Sequence, residues 1–292
     1  MIIDAHHHIW RKNDLPWLRD EPQPRIFGEY ASIRRDYPIE EYLADIQAQN
    51  VEKSVYVQTN WTPSDGVKEV AWVQSVADRS THLNAIVGYA DLGSLKVEET
   101  LAQQRQFTRF RGIRQQLHWH TNSQYRFASR PDLMNDSGWR RGFSLLEKFG
   151  LIFELQIFAH QMSDGAALAA AFPGIKIVLE HAGMLEDRSR EGWERWREGM
   201  RQLAKERNVY VKLSGLGTFE RTCSKELMRP VILETVEMFG PNRCMFGSNF
   251  PIEKIWTSYA ELLAAYQSVL ADFSLQERNE IMGNTAATVY SL

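Results

Sequence analysis

The residues with the clearest chemical potential stand at the start of the chain, in Asp4-Ala5-His6-His7-His8-Ile9-Trp10. On an extended strand, side chains two apart share a face, so His6 and His8 project together and His7 points the other way. Two imidazoles on one side of a rigid strand can bind a metal or polarise a carbonyl. Three histidines in a strand-forming context are too few for a purification tag and read as part of a site. A third imidazole, His181, closes the apolar run Ile175-Lys176-Ile177-Val178-Leu179-Glu180 and precedes Ala182-Gly183. Arg114, Gln116 and His118 alternate along one face if their strand stays regular, and would form a polar wall. Trp61, Trp119 and Trp10 follow strand ends, and an aromatic face suits the apolar side of a sugar ring or lactone.

Eight short runs rich in Val, Ile, Phe or Tyr supply the strands these residues need: Ile2–His8, Lys53–Gln58, Asn84–Ala90, Gly112–His118, Ile152–Phe158, Ile175–His181, Val209–Gly215 and Arg243–Asn249. Amphipathic helices lie between them, with Trp139, Phe143, Leu146 and Phe149 at helical spacing, then Trp193, Trp196, Met200 and Leu203, then Val231, Thr235, Val236 and Phe239. Strand–helix alternation through eight cycles predicts an α/β fold, a (β/α)8 TIM barrel, as a single domain over residues 1–292. An open doubly wound sheet would place a Gly-rich phosphate loop after the first strand, where Ala-His-His-His stands instead. Returns from helix to strand are short, whereas residues 10–38 and 119–136 form long loops leaving strands. Such loops are expected over the C-terminal face of the barrel, where active sites of this fold sit.

Composition narrows the function. The 292 residues carry 34 Lys and Arg against 37 Asp and Glu, a net charge of −3, with no basic stripe, so nucleic-acid binding is disfavoured. No run of about 18 apolar residues and no signal-peptide pattern occurs, so no membrane association is expected. Cys223 and Cys244 form neither a C-x-x-C pair nor a zinc spacing, which fits a reduced, cytoplasmic setting.

Asp-x-His-x-His on the first strand, His-x-Gly on the sixth, Lys-Leu-Ser-Gly on the seventh and Phe-Gly-Ser-Asx-Phe-Pro on the eighth resemble the amidohydrolase superfamily. Within it the pattern is similar to the amidohydrolase-2 branch, which holds sugar-lactone and pyrone-dicarboxylate lactonases. Arg111-Gly112-Ile113-Arg114 and the ending Gly283-Asn284-Thr285-Ala286-Ala287-Thr288-Val289-Tyr290 are also similar to it. The resemblance runs from Ile3 to Tyr290. It implies that His6, His8 and His181 are metal ligands or substrate-polarising groups. It also implies that Arg114 orients a substrate carboxylate or hydroxyl. One divalent ion, zinc above all, is the cofactor implied, although members of the branch differ in whether they need a metal. The carboxylated lysine of two-metal members is not visible; the fifth strand offers Glu154 and Gln156 instead.

The family places an aspartate at the end of the eighth strand, where this chain has Asn249. An amide can orient a water but cannot take its proton. Glu154, His118, His120 or the acidity of a metal-bound water are the candidates to fill that role. The expected function is hydrolysis of a small lactone, anionic or polyhydroxylated, to a hydroxy acid. His6, His8, His181 and Asn249 are the expected catalytic residues. Arg114, Gln116, His118, Gln156 and Trp61 are expected on the substrate. The alternatives are metal-dependent decarboxylation of an aromatic or enoic acid, and a non-catalytic sugar-acid binder. A homo-oligomer is compatible with the sequence.

Overall fold

The structure is a computed structural model describing residues 1–292. All eight expected strands form: β1 (Ile2–His7), β2 (Val51–Val57), β3 (Leu83–Gly88), β4 (Phe110–Arg114), β5 (Ile152–Leu155), β6 (Ile177–Leu179), β7 (Val209–Leu213) and β8 (Cys244–Phe246). They pair in parallel in the order β1 to β8. The two edges meet through His8 N–H to Phe250 O and Asn249 N–H to His6 O, both 2.7 Å, so the sheet closes into a TIM barrel.

Several strands are shorter at their C-terminal ends than their apolar runs suggest. β4 stops at Arg114, β6 at Leu179 and β8 at Phe246. For β6 and β8 the reason is conformational: His181 (φ 55°), Ala182 (φ 47°) and Asn249 (φ 57°) are left-handed, which no strand accommodates. Local backbone strain of this kind gathers where side chains must be aimed rather than packed.

Helices return the chain along the outside of the barrel, and their starts are written in the sequence. Asp136 caps the helix Ser137–Phe149 by accepting from Trp139 N–H at 2.9 Å. Ser258 and Glu261 form a reciprocal capping box on Tyr259–Leu270. Trp139, Phe143 and Leu146 are fully buried against the barrel, which explains their spacing. Inside the barrel a smaller core runs from Ile3, Ala5, Val55 and Val57 to Val289 and Tyr290. The helix Thr285–Tyr290 therefore plugs the N-terminal end, leaving the opposite mouth for chemistry. No helix is long and apolar enough to cross a membrane.

Candidate active site

Asp4 fixes the first strand to the eighth. Its carboxylate accepts from Ser248 Oγ (2.6 Å), Ser248 N–H (2.8 Å), Tyr42 (3.0 Å), Tyr259 (3.1 Å) and His6 N–H (3.1 Å). The aspartate of the first motif is thus a clamp beneath the histidines. His6 and His8 do share one side of the strand, with ring centroids 5.0 Å apart. His7 turns away and stacks on Tyr42 at 3.9 Å. His181 reaches the same place from β6, 4.8 Å from His6. Gly215 (φ 59°) makes that approach possible: a Cβ there would lie 2.6 Å from His181 Nδ1.

Each imidazole is oriented by a partner. His8 Nδ1 lies 2.7 Å from Val57 O. A carbonyl only accepts, so Nδ1 carries the proton and Nε2 is bare. His181 Nδ1 lies 2.9 Å from Ser214 Oγ. His6 is completely buried, and its Nε2 has no partner. Burial holds all three well below the ordinary histidine value, His181 at about 3, with Arg114 adding to the effect on each and Lys212 on His6 and His181. The rings are therefore neutral at physiological pH.

A buried ionic layer lies around them. Arg114 meets Glu180 at 3.2 Å and donates to Gln58 O. Lys212 meets Glu154 at 2.6 Å and His6 Nδ1 at 3.4 Å. Glu154 also accepts from Tyr290 at 2.6 Å. Burial raises the Glu154 carboxyl and lowers the Lys212 ammonium, each opposed by the other. Two acids and two bases balance in charge, which is what allows them to be enclosed. Both Glu154 oxygens are committed, so this residue does not reach a substrate.

Above this layer a cleft opens at the C-terminal mouth. His8, Arg114, Gln116, His118, Gln156, His181 and Asn249 line it, although β4 ends before Gln116. Gln116 donates to Gln156 at 2.8 Å, leaving its own Oε1 unpartnered. His118 is buried and held at about 3, first by burial and then by Arg114. The loop 10–38 contributes Trp17, Arg25 and Phe27, and the loop 119–136 contributes Gln124, Arg126 and Phe127. Trp61 does not belong to this cleft. It packs on Trp72 at 5.9 Å, near Arg11, and borders an outer groove, because the chain turns outward at Asn60 (φ 62°).

Sequence reasoning missed Glu180, Lys212 and Glu253. Glu180 and Lys212 carried a signal, each being a charge at or inside an otherwise apolar strand. Glu253 is buried against Asn249, Thr218 and Trp256, and burial pushes its carboxyl up to about 8.

Part of this centre has the spacing of a metal donor set. His6, Glu180 and His181 each offer an atom within 4.8 Å of the others. His8 is not in this compact set. The unpartnered His6 nitrogen and the Nδ1 tie of His181 to Ser214 suit a divalent ion, since ligating imidazoles are oriented through their second nitrogen.

A (β/α)8 barrel with a histidine centre at its C-terminal mouth is the scaffold of an enzyme, and comparison with known proteins narrows its class. The chain belongs to the amidohydrolase family, Amidohydro_2, whose profile matches residues 3–292. It is 38% identical to the Sinorhizobium fredii protein y4mH, covering 99% of this chain and 98% of that one. It is 29% identical to an L-fucono-1,5-lactonase of Burkholderia multivorans, covering 99% and 96%. An amidohydrolase from Burkholderia multivorans, solved with bound zinc, superposes with a TM-score of 0.84 at 28% identity, over 100% of this chain and 99% of that one. The protein is a hydrolase with lactonase-named relatives.

Proposed function

We propose that the protein opens a small lactone to its hydroxy acid. The observation carrying this reading is the fixed tautomer of His8, whose bare Nε2 belongs to the same cleft as His181, Arg114 and Asn249. His8 accepts the proton of the attacking water, the task that Asn249 cannot perform. The Asn249 amide orients that water. Arg114, Gln116 and Gln156 hold the substituents of the ring, and His118 completes the wall. His6, Glu180 and His181 would hold one divalent ion, zinc being the candidate, which when bound polarises the carbonyl and stabilises the oxyanion. The lactonase names of relatives at 27 to 29% identity support the substrate class.

Proton release from a panel of sugar and muconate lactones tests the reading. Ring opening of at least one member, abolished in His181→Ala, is the expected result. Silence across the panel would leave a binding protein, and release of carbon dioxide from aromatic acids would move the assignment to decarboxylation.

A further inference from the structure

The cleft carries more positive charge than ring opening requires. Arg25, Arg114 and Arg126 line it, with no aspartate or glutamate in the lining, in a chain whose net charge is −3. The three guanidiniums differ in what already satisfies them. Arg114 faces Glu180 at 3.2 Å. Arg126 donates to His120 O (2.9 Å) and Thr121 O (3.0 Å), and lies over Trp119. Arg25 has no carboxylate partner. It lies over Trp17 at 5.3 Å and beside Tyr30, and its buried Nε has no acceptor. Burial lowers its affinity for a proton, a sign of incomplete compensation.

A cation held largely out of water without a counter-ion is costly, and an incoming anion offsets that cost. A neutral hydroxyl offsets far less, because a guanidinium matches a carboxylate with two parallel charge-assisted bonds. Arg25 belongs to the loop 10–38, follows Pro24, and is close enough to His118 to depress that imidazole. Gln124, in the loop after β4, donates to Arg25 O at 3.2 Å, so Arg25 enters the cleft on the β4 side of the mouth, whereas His8 and Asn249 come from the β1 and β8 side.

We propose that the substrate is a lactone bearing a free carboxylate, and that Arg25 is the residue that selects it. This rests on the lactonase reading and goes further by naming the charge of the substrate. The carboxylate is a recognition group and takes no part in the reaction: water adds to the ring carbonyl as His8 takes its proton, the ring C–O bond breaks, and the departing alkoxide receives that proton from His8.

The test pairs each neutral aldonolactone with its aldaric counterpart, which carries a carboxylate in place of the terminal hydroxymethyl group. Wild type, Arg25→Met and Arg25→Lys are compared on both. Wild type should prefer the carboxylated member by about tenfold or more in kcat/KM. Arg25→Met should raise KM for that member by about tenfold with kcat within about twofold, and cost the neutral lactone much less, about threefold at most, so that the preference itself collapses. Arg25→Lys should recover part of the loss, which a loop that had merely unfolded would not. Equal losses on both substrates, or a wild-type preference for the neutral lactone, would overturn the proposal.

Calorimetry with the open aldaric acid and the corresponding alditol separates the two readings. Arg25-dependent binding of the diacid without turnover of any lactone would retain the anion subsite while removing ring opening. Lactone turnover with diacid binding indifferent to Arg25 would remove the subsite alone.

Discussion

The 2.7 Å contact between His8 Nδ1 and Val57 O decides which imidazole nitrogen meets the substrate. Comparable control is exerted on His181 by a residue with no side chain. Gly215→Ala would place a methyl 2.6 Å from His181 Nδ1 and put a Cβ on a backbone at φ 59°. We expect it to lower kcat/KM at least about tenfold and to cost about 1–2 kcal/mol of folding stability, read by steady-state kinetics and urea unfolding. Asn249 is a similar case of local design. Its side chain abuts the Glu253 carboxyl, already pushed to about 8 by burial. Asn249→Asp would set two carboxyls together, and like charges raise each other's pKa. Activity at pH 7 should therefore fall about tenfold or more, since the attacking water loses the amide that orients it beside His8. A gain would show that the natural enzyme merely lacks a base at this position.

Among the elements, β1 and β8 matter most, because the barrel closes between them and the histidines hang from that seam. The five donors gathered by Asp4 are the seam's fastening. Asp4→Ala would leave Ser248, Tyr42 and Tyr259 hydroxyls buried and unpaired, at a cost of about 3–5 kcal/mol in urea unfolding. These elements were largely legible beforehand. Alternating apolar runs and helical stripes such as Trp139, Phe143 and Leu146 identify a barrel because burial enforces their period. What the sequence obscures is where each strand stops. Gln116, His181 and Asn249 continue apolar or extended patterns, yet the last two adopt left-handed backbone to face the mouth. That choice is made by the site rather than by local propensity. The plug Thr285–Tyr290 was likewise visible only as a motif, since nothing local says that Tyr290 reaches Glu154.

On the scale of the whole molecule, the charged layer under the cleft is assembled by closure. Arg114 and Glu180 are 66 residues apart, and Lys212 and His6 are 206 apart. The three histidines could be read from strand ends, but their ionic partners could not, because pairing depends on which strands become neighbours across the barrel. Trp61 failed for the complementary reason, its loop turning outward. The folded state as a whole also titrates differently from the chain. Glu253 keeps its proton up to about 8 in the fold, whereas an unfolded glutamate loses it near the ordinary 4.5. The folded state therefore binds the extra proton between those values, and stability falls as pH rises through the window. Glu253→Gln, which mimics the protonated form, should gain on wild type by about 1.4 kcal/mol per pH unit across that interval. Denaturant midpoints at a series of pH values read this directly, and a pH-independent difference would place the proton elsewhere. The claim on which the functional account turns is that His8, oriented by a backbone carbonyl, takes the proton of the attacking water. Its most direct measurement is kcat/KM of His8→Gln on the best lactone of the panel, with the fold verified by circular dichroism. A loss of about a hundredfold or more is predicted, and a variant within about threefold of wild type would contradict it.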